Sequence, residues 1–103
     1  MSGRDIVIVG ACRVVLHLPG AHSLKDKRHV VKSVIARVHN QFNVAAAEIE
    51  DQELWQKAVL GIAVVSNDSQ HANEVLSTVV KFITNANQDA EMTDYEIDIA
   101  PVL

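Results

Sequence analysis

The sequence has one cysteine, two prolines, four glycines and four aromatic residues in 103 positions. A lone Cys12 cannot close an internal disulfide, so a disulfide-stapled scaffold is excluded and a reducing compartment is the expected home. So few prolines and glycines leave no collagen-like period, low-complexity tract or long linker, and no internal repeat is visible. Long apolar runs are missing too. The richest apolar stretch, residues 6–18, is interrupted by Arg13 and His17 and is too short to cross a bilayer as a helix. It also makes a poor signal peptide, because Asp5 follows Arg4 and no small-x-small cleavage site comes after. A cytoplasmic protein with no membrane partner is expected.

What is present is a well-mixed globular composition, 49% hydrophobic and 21% charged. This length is expected to form a single domain over residues 1–103, burying roughly 60–65% of the surface exposed when unfolded. The net charge of −4 conceals a split. Residues 1–40 carry seven Lys/Arg against two Asp, or +5, and residues 41–103 carry two Lys against eleven Asp/Glu, or −9. An acidic average therefore leaves room for a local basic surface.

Hydrophobic periodicity supplies the elements. Residues 6–18 read as a strand ended by Pro19-Gly20. Ser23 is a good N-cap, and Asp26 three residues on completes a capping-box pattern with Asp in place of the usual Glu. Leu24, Val31, Ile35, Val38 and Phe42 then recur at helical spacing, with Val34 beside them. Residues 43–50 read as a second strand, 51–53 as a polar turn, and 55–66 as a third strand around Ala58, Leu60, Ile62 and Val64. Asn67 or Asp68 caps a second helix with an inner face of Ala72, Val75, Leu76, Val79 and Ile83. Residues 85–89 form a loop, and the alternation of Tyr95, Ile97 and Ile99 with Asp94, Glu96 and Asp98 marks a last strand. The order β-α-β-β-α-β predicts an α+β, ferredoxin-like fold: a four-stranded antiparallel sheet with two helices on one face.

Both faces of the first and third strands are largely apolar. In the first, Ile6, Ile8, Cys12, Val14, Leu16 and Leu18 form one face and Val7, Val9, Ala11, Arg13, Val15 and His17 the other, and in the third Val59, Gly61, Ala63 and Val65 oppose the set named above. A small sheet covered on one side does not need this. A homodimer pairing through the open sheet face is the natural account, although short aliphatics on a sheet also occur without an interface.

The first helix carries the clearest chemistry. At 100° per residue, Lys25, Arg28, His29, Lys32, Ala36 and His39 share one flank of its core face. Lys25, Lys27 and Arg28 crowd the first turn, where the macrodipole is already positive. One reading is an anion site, with helix N–H groups and flanking cations around a phosphate. The other is a solvated face of good helix formers paired with the acidic half, and spacing alone slightly favours it. Arg28, closest to the stripe through Leu24, is expected to be partly buried and paired with Glu48. Lys27, on the other side of the stripe, is expected to pack its stem and snorkel to water. Arg13 and His17, from the open face, and His22 and Ser23, in the turn before the helix, complete the candidate anion-binding set with Lys25, Lys27, Arg28 and Lys32.

Other chemistries find little support. The five histidines have no i, i+4 pair on a helix and there is no C-x-x-C, so no metal or cofactor is expected, and Cys12 reads as a structural thiol. Phe42 and Phe82 fit helix cores, Tyr95 alternates with the inner set, and Trp55 reads as a packing residue opening the third strand. That leaves no aromatic platform of the kind RRM domains use. No P-loop, G-x-S-x-G or G-x-G-x-x-G occurs. The loop 18–23 lacks the arginine an acylphosphatase would place there, so no catalytic role is expected.

The segments Arg13-Val14-Val15-Leu16-His17-Leu18-Pro19-Gly20, Ser23-Leu24-Lys25-Asp26-Lys27-Arg28, Phe42-Asn43-Val44, Leu54-Trp55-Gln56 and Val64-Val65-Ser66-Asn67 resemble the YlxP family of small bacterial proteins, a conserved domain of unknown function. The resemblance covers essentially the whole chain and implies a ferredoxin-like fold. Genes of that family often sit among those for translation initiation and ribosome maturation, which implies an RNA- or ribosome-associated role. It has no established catalytic residues to carry over. The Ser-Leu-Lys-x-Lys-Arg segment coincides with the basic first turn and shifts the balance toward a functional anion surface. The expected function is therefore a non-catalytic RNA- or ribosome-binding module, with a homodimeric scaffold or a small-ligand sensor as alternatives.

Overall fold

A computed structural model describes residues 5–49 and 54–103. The elements are β1 (Ile8–His17), α1 (Leu24–Gln41), β2 (Ala45–Glu48), β3 (Lys57–Ser66), α2 (Ser69–Thr84) and β4 (Glu91–Pro101). The sheet order is β2-β3-β1-β4, with every neighbouring pair antiparallel. This is the expected ferredoxin-like α+β arrangement. The expected 51–53 turn lies outside the described residues.

Each helix begins where its cap dictates. Ser23 is extended, and its Oγ accepts the Asp26 N–H at 3.0 Å, while the Asp26 carboxylate accepts the His22 N–H at 3.0 Å. Asp68 accepts from the N–H groups of Gln70 and His71, which fixes the start of α2. Between helices and sheet lies a core of Cys12, Val14, Leu16, Leu18, Val31, Val34, Val38, Leu60, Ile62, Leu76, Val79 and Ile83. The even positions of β1 face this core, as the alternation predicts. Gly10 lets α2 close on the sheet, because a Cβ there would stand 2.9 Å from Leu76 Cδ1. Phe42 and Phe82 meet edge to face at 5.4 Å, linking the ends of the two helices.

Three details depart from the sequence reading. β2 is shorter than 43–50, with its alanine-rich stretch paired to β3 only from Ala45 to Glu48. One further bond, Ile49 N–H to the Val59 carbonyl, extends the pairing. β4 carries a bulge, in which the register against β1 shifts between Val15 and Leu16 and Thr93 becomes the extra residue. The bulge reverses the side-chain phase, so that Met92, Ile97 and Ile99 all pack against the core. Tyr95 shares their face but sits on an edge strand and is half exposed. Trp55 lies in a turn before β3 and is 50% exposed, rather than packed at the strand's start.

Candidate functional site

The buried stripe of α1 is Lys27, Val31, Val34 and Val38. Its centre lies about 50° round the helix from Leu24, on the side away from Arg28. That rotation corrects two expectations. Arg28 is exposed, and Lys27 is 2% exposed, with its Nζ 3.3 Å from Glu48 Oε2 on β2. Lys27 does not snorkel to the surface. The approach is an ion pair without hydrogen-bond geometry: Glu48 Oε2 is buried and accepts no hydrogen bond among the described residues. The pair docks the first turn of α1 onto β2, and it withdraws Lys27 from the surface set.

With the helix in this rotation, Lys25, Arg28 and Lys32 point together into a groove of about 600 Å³. His29 joins them from the same flank. Gly20, Ala21 and Val30 supply apolar lining, and Asp26 and Asp89 contribute carboxylates. Among the described residues, Lys25, Arg28 and Lys32 are in no ion pair within 4.0 Å. The row from Lys25 to Lys32 runs about 10 Å along the helix.

The groove's walls are held by side chains the sequence reading did not single out. Gln56 Nε2 donates to the carbonyls of Pro19 at 3.2 Å and Ala21 at 3.3 Å, while Leu18 N–H bonds the Gln56 carbonyl. This gives the Leu-Trp-Gln segment a physical role, because the amide braces the turn that leads into α1. Across the groove, Asn87 Nδ2 donates to Ser33 Oγ at 3.3 Å, and the Asp89 N–H donates to Asn87 Oδ1 at 2.8 Å. The loop after α2 is thereby tied to α1. A hydrogen-bonding amide flanked by turn residues was the available signal in both places.

The remaining candidates lie elsewhere. Ser23 Oγ is engaged as the N-cap, and His22 is exposed beside it. Arg13 and His17 are on the open face of the sheet, opposite the helices. Arg13 pairs with Glu96, and His17 Nδ1 is 3.5 Å from Glu91. There Glu96 and Asp98 on β4 border a second cavity of about 490 Å³ over Ala11, Ala45, Ala47, Gly61 and Ala63. Ile49 crosses Gly61, its Cγ2 only 2.6 Å from where a Cβ would be. Neither of these two cavities is lined by His17, His22 or Ser23. Cys12 is buried, and burial pushes its thiol pKa up. Among the described residues no cluster of three His, Cys, Asp or Glu could hold a metal ion, and no helix is long and apolar enough to cross a membrane.

Three comparisons bear on fold and family. The de novo designed protein Foldit4 superposes with a TM-score of 0.52 at 10% identity, over 91% of this chain and 96% of that one, a likeness of fold alone. The uncharacterized protein YlxP of Bacillus subtilis (strain 168) is 40% identical over 72 residues, covering 70% of this chain and 76% of that protein. The profile described as "Protein of unknown function (DUF503)" matches residues 9–97, and the chain belongs to that family.

Proposed function

We propose that this protein is a non-catalytic binding module whose α1 groove holds the phosphate backbone of RNA, free or within the ribosome. The observation that carries the reading is the convergence of Lys25, Arg28 and Lys32 on one groove with no ion pair among the described residues. Lys25, an uncompensated cation in the positive first turn of α1, works against helix stability, and an anion in the groove relieves that. Phosphate contacts carry affinity without reading sequence, which suits a groove whose lining holds no Phe, Tyr or Trp.

The test is fluorescence anisotropy with a labelled single-stranded RNA across a salt series. Three phosphate contacts give log K against log[salt] a slope of about −2. Lys25→Ala/Lys32→Ala should reduce that slope by about 1.4. Gly20→Trp adds a second arm: a Cβ at Gly20 meets nothing within 4 Å and its φ is not positive, so the bulky side chain fills the groove without straining the backbone. Salt-insensitive affinity, or affinity unchanged in both variants, refutes the reading.

A second reading, a homodimer through the open sheet face, draws on Val65, 71% exposed, and Ile49, 55% exposed, beside the small-residue trough. Light scattering at micromolar concentration tests it. A monomer there removes the reading.

A further inference from the structure

The α1 groove is not lined as a simple phosphate site. Its carboxylates repel phosphate, and one of them, Asp89, is presented by a loop that Asn87 fastens to Ser33 of α1. Among the described residues the Asp89 carboxylate makes no hydrogen bond and no ion pair within 4.0 Å, although Lys25, Arg28 and Lys32 line the same groove. Opposite charges that face one cavity without neutralising each other complement a ligand that is itself two-ended. Ala21 and Val30 are the apolar part of the same lining. The lining thus has three parts: cations for an anion, an apolar surface for a flat ring, and a carboxylate for N–H donors.

Resting on the RNA-backbone reading above, we infer that the groove binds a guanine nucleotide, its phosphate on Lys25, Arg28 and Lys32 and its base edge on the Asp89 carboxylate. Guanine is the base that fits a carboxylate. Its N1–H and N2–H donate in parallel to the two carboxylate oxygens, in the bidentate geometry that gives such pairs their specificity. Adenine and cytosine set a ring-nitrogen acceptor beside their amino group, and uracil flanks its single N–H with two carbonyl oxygens. Each of these turns a lone pair toward the carboxylate. The groove volume of about 600 Å³ accommodates one nucleotide, so the ligand is either one residue of a single strand or a free nucleotide.

The experiment measures anisotropy of labelled UUGUUU, UUAUUU, UUIUUU (I, inosine) and UUUUUU on the full chain, with 5′-GMP as unlabelled competitor. UUGUUU should bind at least fivefold tighter than UUUUUU and UUAUUU, and inosine, which lacks the N2 amino group, should lose most of the gain. Asp89 is exposed and only its backbone N–H is used in the fold, so Asp89→Asn is expected to fold normally. That variant should bring the guanine preference below twofold while UUUUUU binds as well as before or better. Competition by GMP at the affinity of the strand supports the site with a free nucleotide as ligand, and weaker competition supports it with RNA as ligand. Salt-dependent binding with equal affinity for all four strands, or a preference that survives Asp89→Asn, overturns the guanine assignment and leaves the phosphate reading standing. Binding of none of the probes overturns both.

Discussion

Replacing Lys27 by Met tests how α1 is fixed to the sheet. The substitution keeps an unbranched apolar stem in the buried stripe and deletes the charge facing Glu48. Breaking a fully buried ion pair from one side typically costs about 3–5 kcal/mol, because the surviving charge is left uncompensated. Here the Glu48 side chain retains 26% of its exposure, so water screens part of that loss and about 2–3 kcal/mol is expected. For a domain whose total stability is about 5–15 kcal/mol, this is a substantial fraction. It corresponds to a fall in Tm of about 10–20 °C at this chain length. Glu48→Gln, nearly isosteric, should cost less, about 1–2 kcal/mol, since an amide oxygen still faces the ammonium. The two substitutions remove the same interaction, so the double variant should cost at least about 1 kcal/mol less than the sum of the singles. Urea unfolding of the four proteins with a common m-value provides the measurement. A Lys27→Met protein within about 0.5 kcal/mol of wild type, or strictly additive costs, refutes the reasoning.

Other expectations concern packing, the turn and the thiol. Gly10→Ala places a methyl 2.9 Å from Leu76 Cδ1 and should destabilise by about 1–3 kcal/mol in the same urea assay, whereas Gly20→Ala, with open space around it, should change little. Gln56→Ala removes both bonds to the turn and should cost about 1–2 kcal/mol, with faster hydrogen exchange at the Ala21 N–H, which bonds the Leu18 carbonyl. Burial raises the Cys12 pKa, so above its ordinary value of 9.0 the unfolded chain releases a proton that the folded chain retains. The Cys12 contribution to stability is therefore intact below about pH 9 and declines as pH rises beyond it. Cys12→Ala should flatten the alkaline limb of a stability–pH curve, and an unchanged limb contradicts the assignment.

Local pattern and tertiary structure divide the account of this protein between them. The alternation in β1 and β3, the Ser23 and Asp68 caps and the helical spacing of α2 are contact rules between near neighbours, so element order and the ferredoxin-like topology were legible in the sequence. The basic flank Lys25, Arg28 and Lys32 was legible for the same reason, since three- and four-residue spacing places side chains on one helix face. The rotation of α1 about its axis was not legible. The apolar residues Leu24, Ile35 and Phe42 outline one stripe, while burial follows Lys27, Val31, Val34 and Val38, and what tips the balance is Glu48 on a strand twenty-one positions away. The bulge at Thr93, the span of Gln56 to the turn carbonyls and the tie from Asn87 to Ser33 are likewise contacts between segments far apart in the chain. Local pattern settled which residues share a face and where the two helices start. Tertiary structure set the rotation of α1 about its axis, because that rotation depends on the sum of long-range contacts. It thereby decided that Lys27 lies beneath the helix, that Arg13 and His17 lie across the sheet, and that Lys25, Arg28 and Lys32 stand over a groove with Asp89 on its rim.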